Sequence, residues 1–119
     1  MTTLYGIPNC DTVRKARRWL DEHGVAYRFH DLRKDGLDDA LLASWIEQLG
    51  WESLLNRRGT TWRKLPATAR EHIDRGTATR LMLEQPAIIR RPVLARGKRL
   101  HAGFSADDYQ AMFGRDARS

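Results

Sequence analysis

The sequence predicts an α/β protein in which an N-terminal βαβ unit and a C-terminal ββα unit form a mixed sheet, with a block of helices between them. Three observations predict this class. A segment with helical periodicity separates two strand-like segments near the N-terminus, further helical segments fill the middle, and a glycine turn joins two strand-like segments near the C-terminus. No repeat, low-complexity stretch or linker divides the 119 residues, so we expect a single domain.

The N-terminal βαβ unit starts with a short strand at residues 2–6, which leads into a helix at residues 12–23. The apolar residues of this helix recur on one face, and they are Val13, Ala16, Trp19 and Leu20. Residues 25–30 alternate in polarity and are rich in strand formers, so they are predicted to be a second strand. This arrangement predicts a parallel strand pair joined by a right-handed crossover.

The middle of the chain is predicted to be helical. Asp38 can cap a helix that runs through residue 49, where Gly50 ends it. The other predicted elements are a helical turn at residues 52–55, a loop at residues 57–62, and helices at residues 68–75 and 78–84. We expect Gly76 to separate the last two helices, with Thr77 as the cap of the second.

The C-terminal unit is predicted to be a hairpin followed by a helix. Residues 88–89 are strand-like, and Gly97 and Lys98 form the turn between strands at residues 93–95 and 99–101. Ser105 begins a helix that runs to residue 113. This element order is that of a thioredoxin-like fold. We expect one domain over residues 1–119, which has its core at residues 1–30 and 86–113 and a helical insertion at residues 38–85.

Composition excludes several classes of protein. The single cysteine allows no internal disulfide and no structural zinc site, and the four histidines lack close metal-ligand spacing, so we expect no metal. No apolar run is long enough to cross a membrane, and no signal-peptide or nucleotide-loop pattern is present. A free thiol fits the reducing cytosol, so we expect a cytoplasmic protein with no bound cofactor and no membrane association.

The formal net charge of +6 permits an acidic partner but does not require one. Fifteen acidic residues are interspersed among the basic ones, and no nucleic-acid-binding motif is present, so nucleic acid is not the expected partner. Four basic residues lie beside predicted turns, namely Arg57, Arg58, Arg90 and Arg91. These are either solvated surface charges or anion-binding residues of a site, because arginine clamps anions with a fixed fork of donors.

The cysteine, Cys10, lies where the first strand leads into the first helix. The first turn of a helix has unpaired N–H groups and the positive end of the helix dipole, and both favour a thiolate over a thiol. The flanking residues suit a loop and a helix start better than a core, and they are Pro8, Asn9, Asp11 and Thr12. The alternative is a small buried hydrophobic residue. We interpret Cys10 as a reactive thiol.

Six separated motifs carry a family resemblance. They are Leu4-Tyr5-Gly6-Ile7, Asn9-Cys10-Asp11-Thr12, Phe29-His30-Asp31, Arg58-Gly59-Thr60-Thr61-Trp62-Arg63-Lys64-Leu65, Pro86-Ala87-Ile88-Ile89-Arg90-Arg91-Pro92 and Gly103-Phe104-Ser105. In this order they resemble the ArsC/Spx family, and within it the YffB subgroup. The resemblance implies a thioredoxin-like sheet with a helical insertion, and a site that combines a cysteine at the first strand-to-helix turn with arginines from two later motifs.

The resemblance also implies roles for single residues. Cys10 matches the reactive cysteine of the family, and Arg91 matches its arginine before a cis-proline, which is Pro92 in this chain. The backbone of Arg91 and Pro92 would then lie close to the thiol, where strand-edge backbone can pair with a peptide such as glutathione. Asn9 and Thr12 are expected to contribute hydrogen bonds at the start of the helix.

The resemblance also implies a second site arginine, for which the chain offers two candidates. Arg57 and Arg58 both lie where family members place one, and the spacing to Trp62 favours Arg58 when the chain is compared with Spx. A Cys–His dyad is a further alternative, since His30 or His101 could fold near the thiol, although both positions are typical of ordinary strand-end residues.

Departures from the family pattern narrow the expected activity. Glutaredoxin-coupled arsenate reductases carry a histidine shortly before the cysteine. This chain has Tyr5-Gly6-Ile7-Pro8 there, which contains no histidine. They also carry a third arginine in the last hairpin, where this chain has residues 101–103. The redox-sensing form of Spx has a second cysteine at the position of Val13. Arsenate reduction is therefore not the expected activity, and a Cys-x-x-Cys switch is impossible.

The remaining chemistry is that of a thiol reductase. A single thiolate can attack a disulfide but must be released by a thiol from outside the chain. Glutathione is the expected co-substrate, which agrees with the glutathione-dependent thiol reductase activity ascribed to the YffB subgroup. Glutaredoxin or a protein disulfide is a further expected partner. The alternatives are a Spx-like transcriptional regulator that binds RNA polymerase and, with less support, an arsenate reductase.

Overall fold

The computed structural model describes residues 2–114 as two compact units. The first unit combines the segments that end at Asp31 and begin at Arg91, and the second is Leu32–Arg90. The elements of the first unit are β1 Thr2–Gly6, α1 Asp11–Glu22, β2 Arg28–Asp31, β3 Val93–Arg96, β4 Arg99–Ala102 and α7 Ala106–Phe113. Those of the second are α2 Asp39–Leu49, α3 Trp51–Leu54, α4 Thr60–Arg63, α5 Ala67–Glu71, α6 Arg75–Glu84 and a 3-10 turn at Pro86–Ile88.

The first unit has a four-stranded mixed sheet with the order β2-β1-β3-β4. β1 pairs in parallel with β2 and antiparallel with β3, and β3 pairs antiparallel with β4. The predicted parallel βαβ pair and the C-terminal hairpin are therefore confirmed. With α1 and α7 on this sheet, the fold is the thioredoxin-like α/β fold that the element order predicted.

One face of the sheet carries the hydrophobic core of the first unit. The register places Leu4 between Phe29 on one side and Leu94 on the other, so their side chains share a face. The predicted apolar stripe of α1 packs on this face together with α7. The buried residues of this cluster are Leu4, Ala16, Trp19, Leu20, Leu94, Tyr109 and Phe113.

Two of the predicted helix caps are confirmed. The Asp38 carboxylate accepts a hydrogen bond from the backbone N–H of Leu41 at 2.7 Å, and the Ser105 hydroxyl accepts one from the N–H of Asp108 at 3.0 Å. These bonds satisfy N–H groups that the first turn of a helix leaves without a partner. The predicted helix ends at residues 49 and 113 agree with the structure.

The second strand was predicted to begin three residues too early. It begins at Arg28, because the end of α1 uses the backbone of the preceding residues. Gly24 takes a positive φ of 67°, and the Val25 N–H donates to the Leu20 carbonyl at 2.9 Å. This pattern is that of a helix C-terminus closed by a left-handed glycine, so Val25 is not free to enter the sheet.

The prediction of a break at Gly76 with Thr77 as the cap was wrong. Asp74 is the cap of α6, and Thr77 occupies the third helical position. The Asp74 carboxylate accepts from the Thr77 N–H, while the Thr77 hydroxyl accepts from the Asp74 N–H, both at 2.9 Å. The backbone bond from Thr77 lowers the pKa of Asp74 below its ordinary value. This capping box starts the helix early enough to include Gly76.

Two further predictions in the second unit were wrong in detail. The expected loop at residues 57–62 gives way to α4 at Thr60. The strand-like residues 88–89 form no strand, because Ile88 ends the 3-10 turn and Ile89 makes one isolated bridge to Leu55. Both isoleucine side chains are buried, so the apolar pattern that predicted a strand marks a core position instead.

Arg96 attaches the end of α7 to the sheet. Its Nη1 donates to the Met112 carbonyl at 2.5 Å, and its guanidinium lies 4.9 Å from the centre of the Phe113 ring. A cation near the C-terminus of a helix is favourable for the exposed carbonyl groups there.

Within the described residues, no helix combines the length and the apolar character needed to span a membrane.

We expect the substitution Tyr109→Phe to raise the free energy of unfolding by about 1 kcal/mol, because the buried Tyr109 hydroxyl has no hydrogen-bond partner among the described residues. Burial also raises the pKa of this hydroxyl above its ordinary 10.0. In the unfolded chain the Tyr109 hydroxyl ionises near that ordinary value, so the stability of the wild type should fall as pH rises above about 10. The Tyr109→Phe variant should lose less stability over the same range.

Urea unfolding at neutral pH and above about pH 10 measures both effects. Tyr27→Phe is the matched control, because the Tyr27 hydroxyl accepts a hydrogen bond from Arg17 Nε at 3.2 Å. The control should be neutral or less stable than wild type. A less stable Tyr109→Phe protein would contradict the prediction.

Candidate functional site

The candidate site lies at one edge of the sheet of the first unit. The strand register pairs Gly6 with Asp31 and Tyr5 with Val93, so the next residue before β3, Pro92, comes beside Gly6. The Gly103 N–H donates to the Pro92 carbonyl at 2.8 Å and extends the hairpin to the same edge. The segment that leads to Cys10 and the segment that carries Arg91 therefore meet the sheet at the same end.

Cys10 is the N-cap residue of α1. Its N–H donates to the Ile7 carbonyl at 3.2 Å, which closes a turn whose outer residues, Pro8 and Asn9, are exposed. Its carbonyl accepts the first helical bond, from the Arg14 N–H at 2.9 Å. The side chain makes no capping hydrogen bond and is half-buried. The thiol is thus placed at the positive end of a twelve-residue helix without being used to cap it.

Gly6 determines how closely α1 approaches the sheet before Cys10. A Cβ atom at Gly6 would lie 2.8 Å from Cγ2 of Val13 and 3.1 Å from Cγ1. Any larger residue would push the first turn of α1 away from the end of β1. The thiol therefore owes its position to close contact between a glycine of the strand and a valine of the helix.

The peptide bond between Arg91 and Pro92 is cis, as the resemblance implied. Pro92 is buried and Arg91 is half-buried. The Arg91 Nε is itself buried and has no hydrogen-bond partner among the described residues. A buried guanidinium donor normally has a partner, and carboxylates are the partners that arginine binds most strongly. This donor is consistent with a site that receives an anion.

The other predicted site residues are divided between the two units. Asn9 and Thr12 lie in the same strand-to-helix turn as Cys10, with Asn9 exposed and Thr12 half-buried. Arg57 and Arg58 belong to the second unit, where both are exposed. The Arg57 guanidinium lies 5.6 Å from the centre of the Trp62 ring, and its part in the site, like that of Arg58, stays a prediction.

Arg58 contributes its backbone to the same loop. Its N–H donates to the Asn56 side-chain oxygen at 3.2 Å, and its carbonyl accepts from Arg63 Nη2 at 2.7 Å. A Cβ atom at Gly59 would lie 2.9 Å from the Asn56 amide nitrogen, so a larger residue there would require the Asn56 side chain to move. These contacts order the loop that presents the Arg58 side chain.

The two histidines considered for a dyad have other neighbours. The His101 Nε2 lies 3.4 Å from an Asp108 carboxylate oxygen, and its ring meets Tyr109 edge-on. The His30 ring lies 4.8 Å from that of Tyr5, its partner across the sheet. These contacts favour the interpretation of both histidines as ordinary strand residues. Among residues 2–114, no cluster of His, Cys, Asp or Glu could hold a metal ion.

Sequence reasoning did not place Asp31 at the site edge. This half-buried carboxylate ends β2 directly beside Gly6. The signal was available, because the carboxyl ends of two parallel strands meet at the same edge of a sheet. At the far side of the edge, Gly103 has a positive φ of 82°, which an arginine would not easily adopt.

These features define a class of protein, namely a thioredoxin-like domain with one cysteine at its first strand-to-helix turn and a cis-proline across the same sheet edge. The comparison with known sequences is more specific. The family model described as the ArsC family matches residues 5–112, and the chain belongs to that family.

Two solved structures and one curated relative illustrate the range of the family. A protein named YffB is 50% identical, with a TM-score of 0.88, and the match covers 93% of this chain and 97% of that one. An arsenate reductase (ArsC) related protein from Brucella melitensis is also 50% identical, with a TM-score of 0.80 and coverage of 94% and 93%. The global transcriptional regulator Spx of Streptococcus agalactiae is 32% identical over 99% of this chain and 87% of its own length.

We expect Arg91→Ala to slow the alkylation of Cys10 by iodoacetamide at neutral pH by about threefold to tenfold, because the predicted role of Arg91 is to stabilise the thiolate that reacts. Initial rates measured by mass spectrometry test this. Arg90→Ala removes the same charge from the exposed neighbouring side chain and should change the rate by less than about twofold. Equal rates for Arg91→Ala and wild type would show that Arg91 does not act on the thiol.

Proposed function

We propose that the protein is a thiol–disulfide reductase in which Cys10 is the nucleophile and glutathione supplies the second thiol. The most direct support comes from two side chains whose segments meet the same end of the sheet. The Cys10 side chain makes no capping bond at the start of α1, and the Arg91 Nε is buried without a partner. A nucleophile and an anion-binding donor are the two groups that attack on a glutathione disulfide requires.

The proposed reaction has two steps. In the first, the Cys10 thiolate attacks the glutathione sulfur of a mixed disulfide between glutathione and a substrate thiol. An S–S bond forms between Cys10 and glutathione, the original S–S bond breaks, and the substrate leaves as a thiolate that takes up a proton. In the second, a glutathione thiolate attacks the glutathione sulfur of this intermediate. Oxidised glutathione is released and the Cys10 thiolate is restored, so one glutathione is oxidised for each substrate thiol formed.

Residues around the thiol bind and orient the glutathione portion. Arg91 donates from Nε and its remaining N–H groups to a glutathione carboxylate, a charge-assisted interaction with fixed geometry. The backbone before Pro92 offers strand-type pairing to the peptide, and Asn9 and Thr12 supply polar contacts beside the sulfur. Arg57 and Arg58 belong to the second unit, and a part for either of them in binding glutathione stays a prediction.

We expect excess oxidised glutathione to convert the folded protein to a one-to-one mixed disulfide at Cys10, because the thiolate has one attacking sulfur and no internal thiol to resolve the product. Intact-mass analysis measures the adduct, and peptide mapping locates it. Cys10→Ser is the control and should form none. If Cys10 stays free under these conditions, the reaction lacks its first step and the proposal fails.

We expect arsenate reduction with glutathione and glutaredoxin to stay at background. Gly6 has no side chain, and Ala102 or Gly103 stands where the family enzyme is expected to have its third arginine, so donors for a compact oxyanion are missing. Each missing charged hydrogen bond costs about 1.5–3 kcal/mol, or roughly tenfold to a hundredfold in binding. Arsenite formation is the measurement. Robust turnover that Cys10→Ser abolishes would make an arsenate reductase the better assignment.

A transcriptional regulator is the second candidate, and the similarity to Spx over nearly the whole chain favours it. This function needs a protein surface rather than a reactive thiol. Binding of purified RNA polymerase by both wild type and Cys10→Ser, together with no glutathione-coupled turnover by wild type, would favour the regulator. Turnover that depends on Cys10, without polymerase binding, would favour the reductase.

A further inference from the structure

The second unit has a run of positive charge that no carboxylate interrupts. Between Glu52 and Glu71 the chain contains five basic residues and no acidic one, and the five are Arg57, Arg58, Arg63, Lys64 and Arg70. All five side chains are exposed. The contacts described above for Arg57 and Arg63 are to an aromatic ring and to a backbone carbonyl, so they leave both charges unneutralised. This surface should attract an acidic partner.

An apolar groove lies at the end of this basic run. It has a volume of about 260 Å³ and is lined by Ala69, His72, Thr77, Arg80 and Leu81, which belong to α5, α6 and their connection. Small-molecule sites are usually about 300–1,000 Å³, so this groove suits a single large side chain better than a whole ligand. Arg80 brings a positive charge to this lining, and His72 and Thr77 bring further polar groups.

The helix beside the groove has no buried side chain of its own. All five residues of α5, Ala67–Glu71, are exposed. A helix normally buries one apolar face, and isolated helices of this length are not stable in water. A short connection leads from α5 to α6, and the capping box of Asp74 and Thr77 fixes where α6 starts. The side chains of α5 are therefore open to contact with a partner.

We propose that the second unit binds an acidic protein segment, which places one large apolar side chain in the groove between α5 and α6 and its carboxylates against the adjoining basic run. Buried apolar anchors surrounded by complementary charge are the usual pattern of such recognition. Single-stranded nucleic acid is disfavoured, because it needs exposed aromatic rings for base stacking. The only aromatic residue within the basic run is Trp62, and it is 9% exposed.

The groove lies outside the proposed thiol site, and Arg57 and Arg58 are the members of the basic run that are also predicted site residues. The test uses the full chain and a short fluorescent peptide in which one leucine is surrounded by glutamates, with binding followed by anisotropy. Ala69→Glu places a carboxylate in the groove and should weaken binding by at least about tenfold. Ala43→Glu is the matched control, because it adds the same charge to an exposed position on α2 of the same unit and should change binding by less than about twofold.

Two further probes sharpen the result. The same peptide with serine in place of leucine should bind at least about tenfold more weakly, because it lacks the anchor. Cys10→Ser protein should bind as tightly as wild type. The proposal is overturned if wild type does not bind the leucine peptide, or if Ala43→Glu weakens binding as much as Ala69→Glu. It is equally overturned if the serine peptide binds as tightly, or if single-stranded oligothymidylate binds more tightly than the leucine peptide.

Discussion

The pairing of β1 with a strand on either side is the constraint on which the candidate site depends. β1 is short, and its last residue, Gly6, has β2 on one side and the approach to β3 on the other. Because this register brings the Leu4 side chain to the core, a shift by one residue would expose it and bury polar neighbours instead. The same register brings Pro92 beside Gly6. Core packing and site geometry are therefore specified by one set of backbone hydrogen bonds.

The close contact between Gly6 and Val13 connects this sheet to the thiol. It lets the first turn of α1 rest on the end of the strand, and the buried stripe of α1 holds the rest of the helix on the same face. The N–H groups at the start of α1 are then presented at the sheet edge rather than in the core. The position of Cys10 thus depends on packing between Gly6 and Val13.

Much of this arrangement was predictable from local signals in the sequence. Asp38 and Ser105 precede apolar helical patterns, and their side chains cap helices as expected. The turn at Gly97 closes the C-terminal hairpin. The roles predicted for Cys10 and Arg91 came from the family resemblance, whereas composition alone is equally compatible with Cys10 as a small buried hydrophobic residue.

Other features could not be read from local patterns, because they depend on which of several similar residues makes a contact. Asp74 and Thr77 are both good capping residues, and only their mutual hydrogen bonds decide where α6 starts. Val25 has high strand propensity, yet the end of α1 uses its N–H. The missing partner of the Arg91 Nε is a property of the packed structure, and no sequence pattern signals it.

The single cysteine has a consequence for what oxidation means in this protein. A protein with two neighbouring thiols can store an oxidising equivalent as an internal bridge, which removes two hydrogen atoms and adds no new group. These 119 residues have one thiol, so every disulfide at Cys10 joins the chain to another molecule. Each oxidised form is therefore also a different covalent species, with a new group and new charges at the sheet edge. Which species exists depends on the thiols in the surroundings.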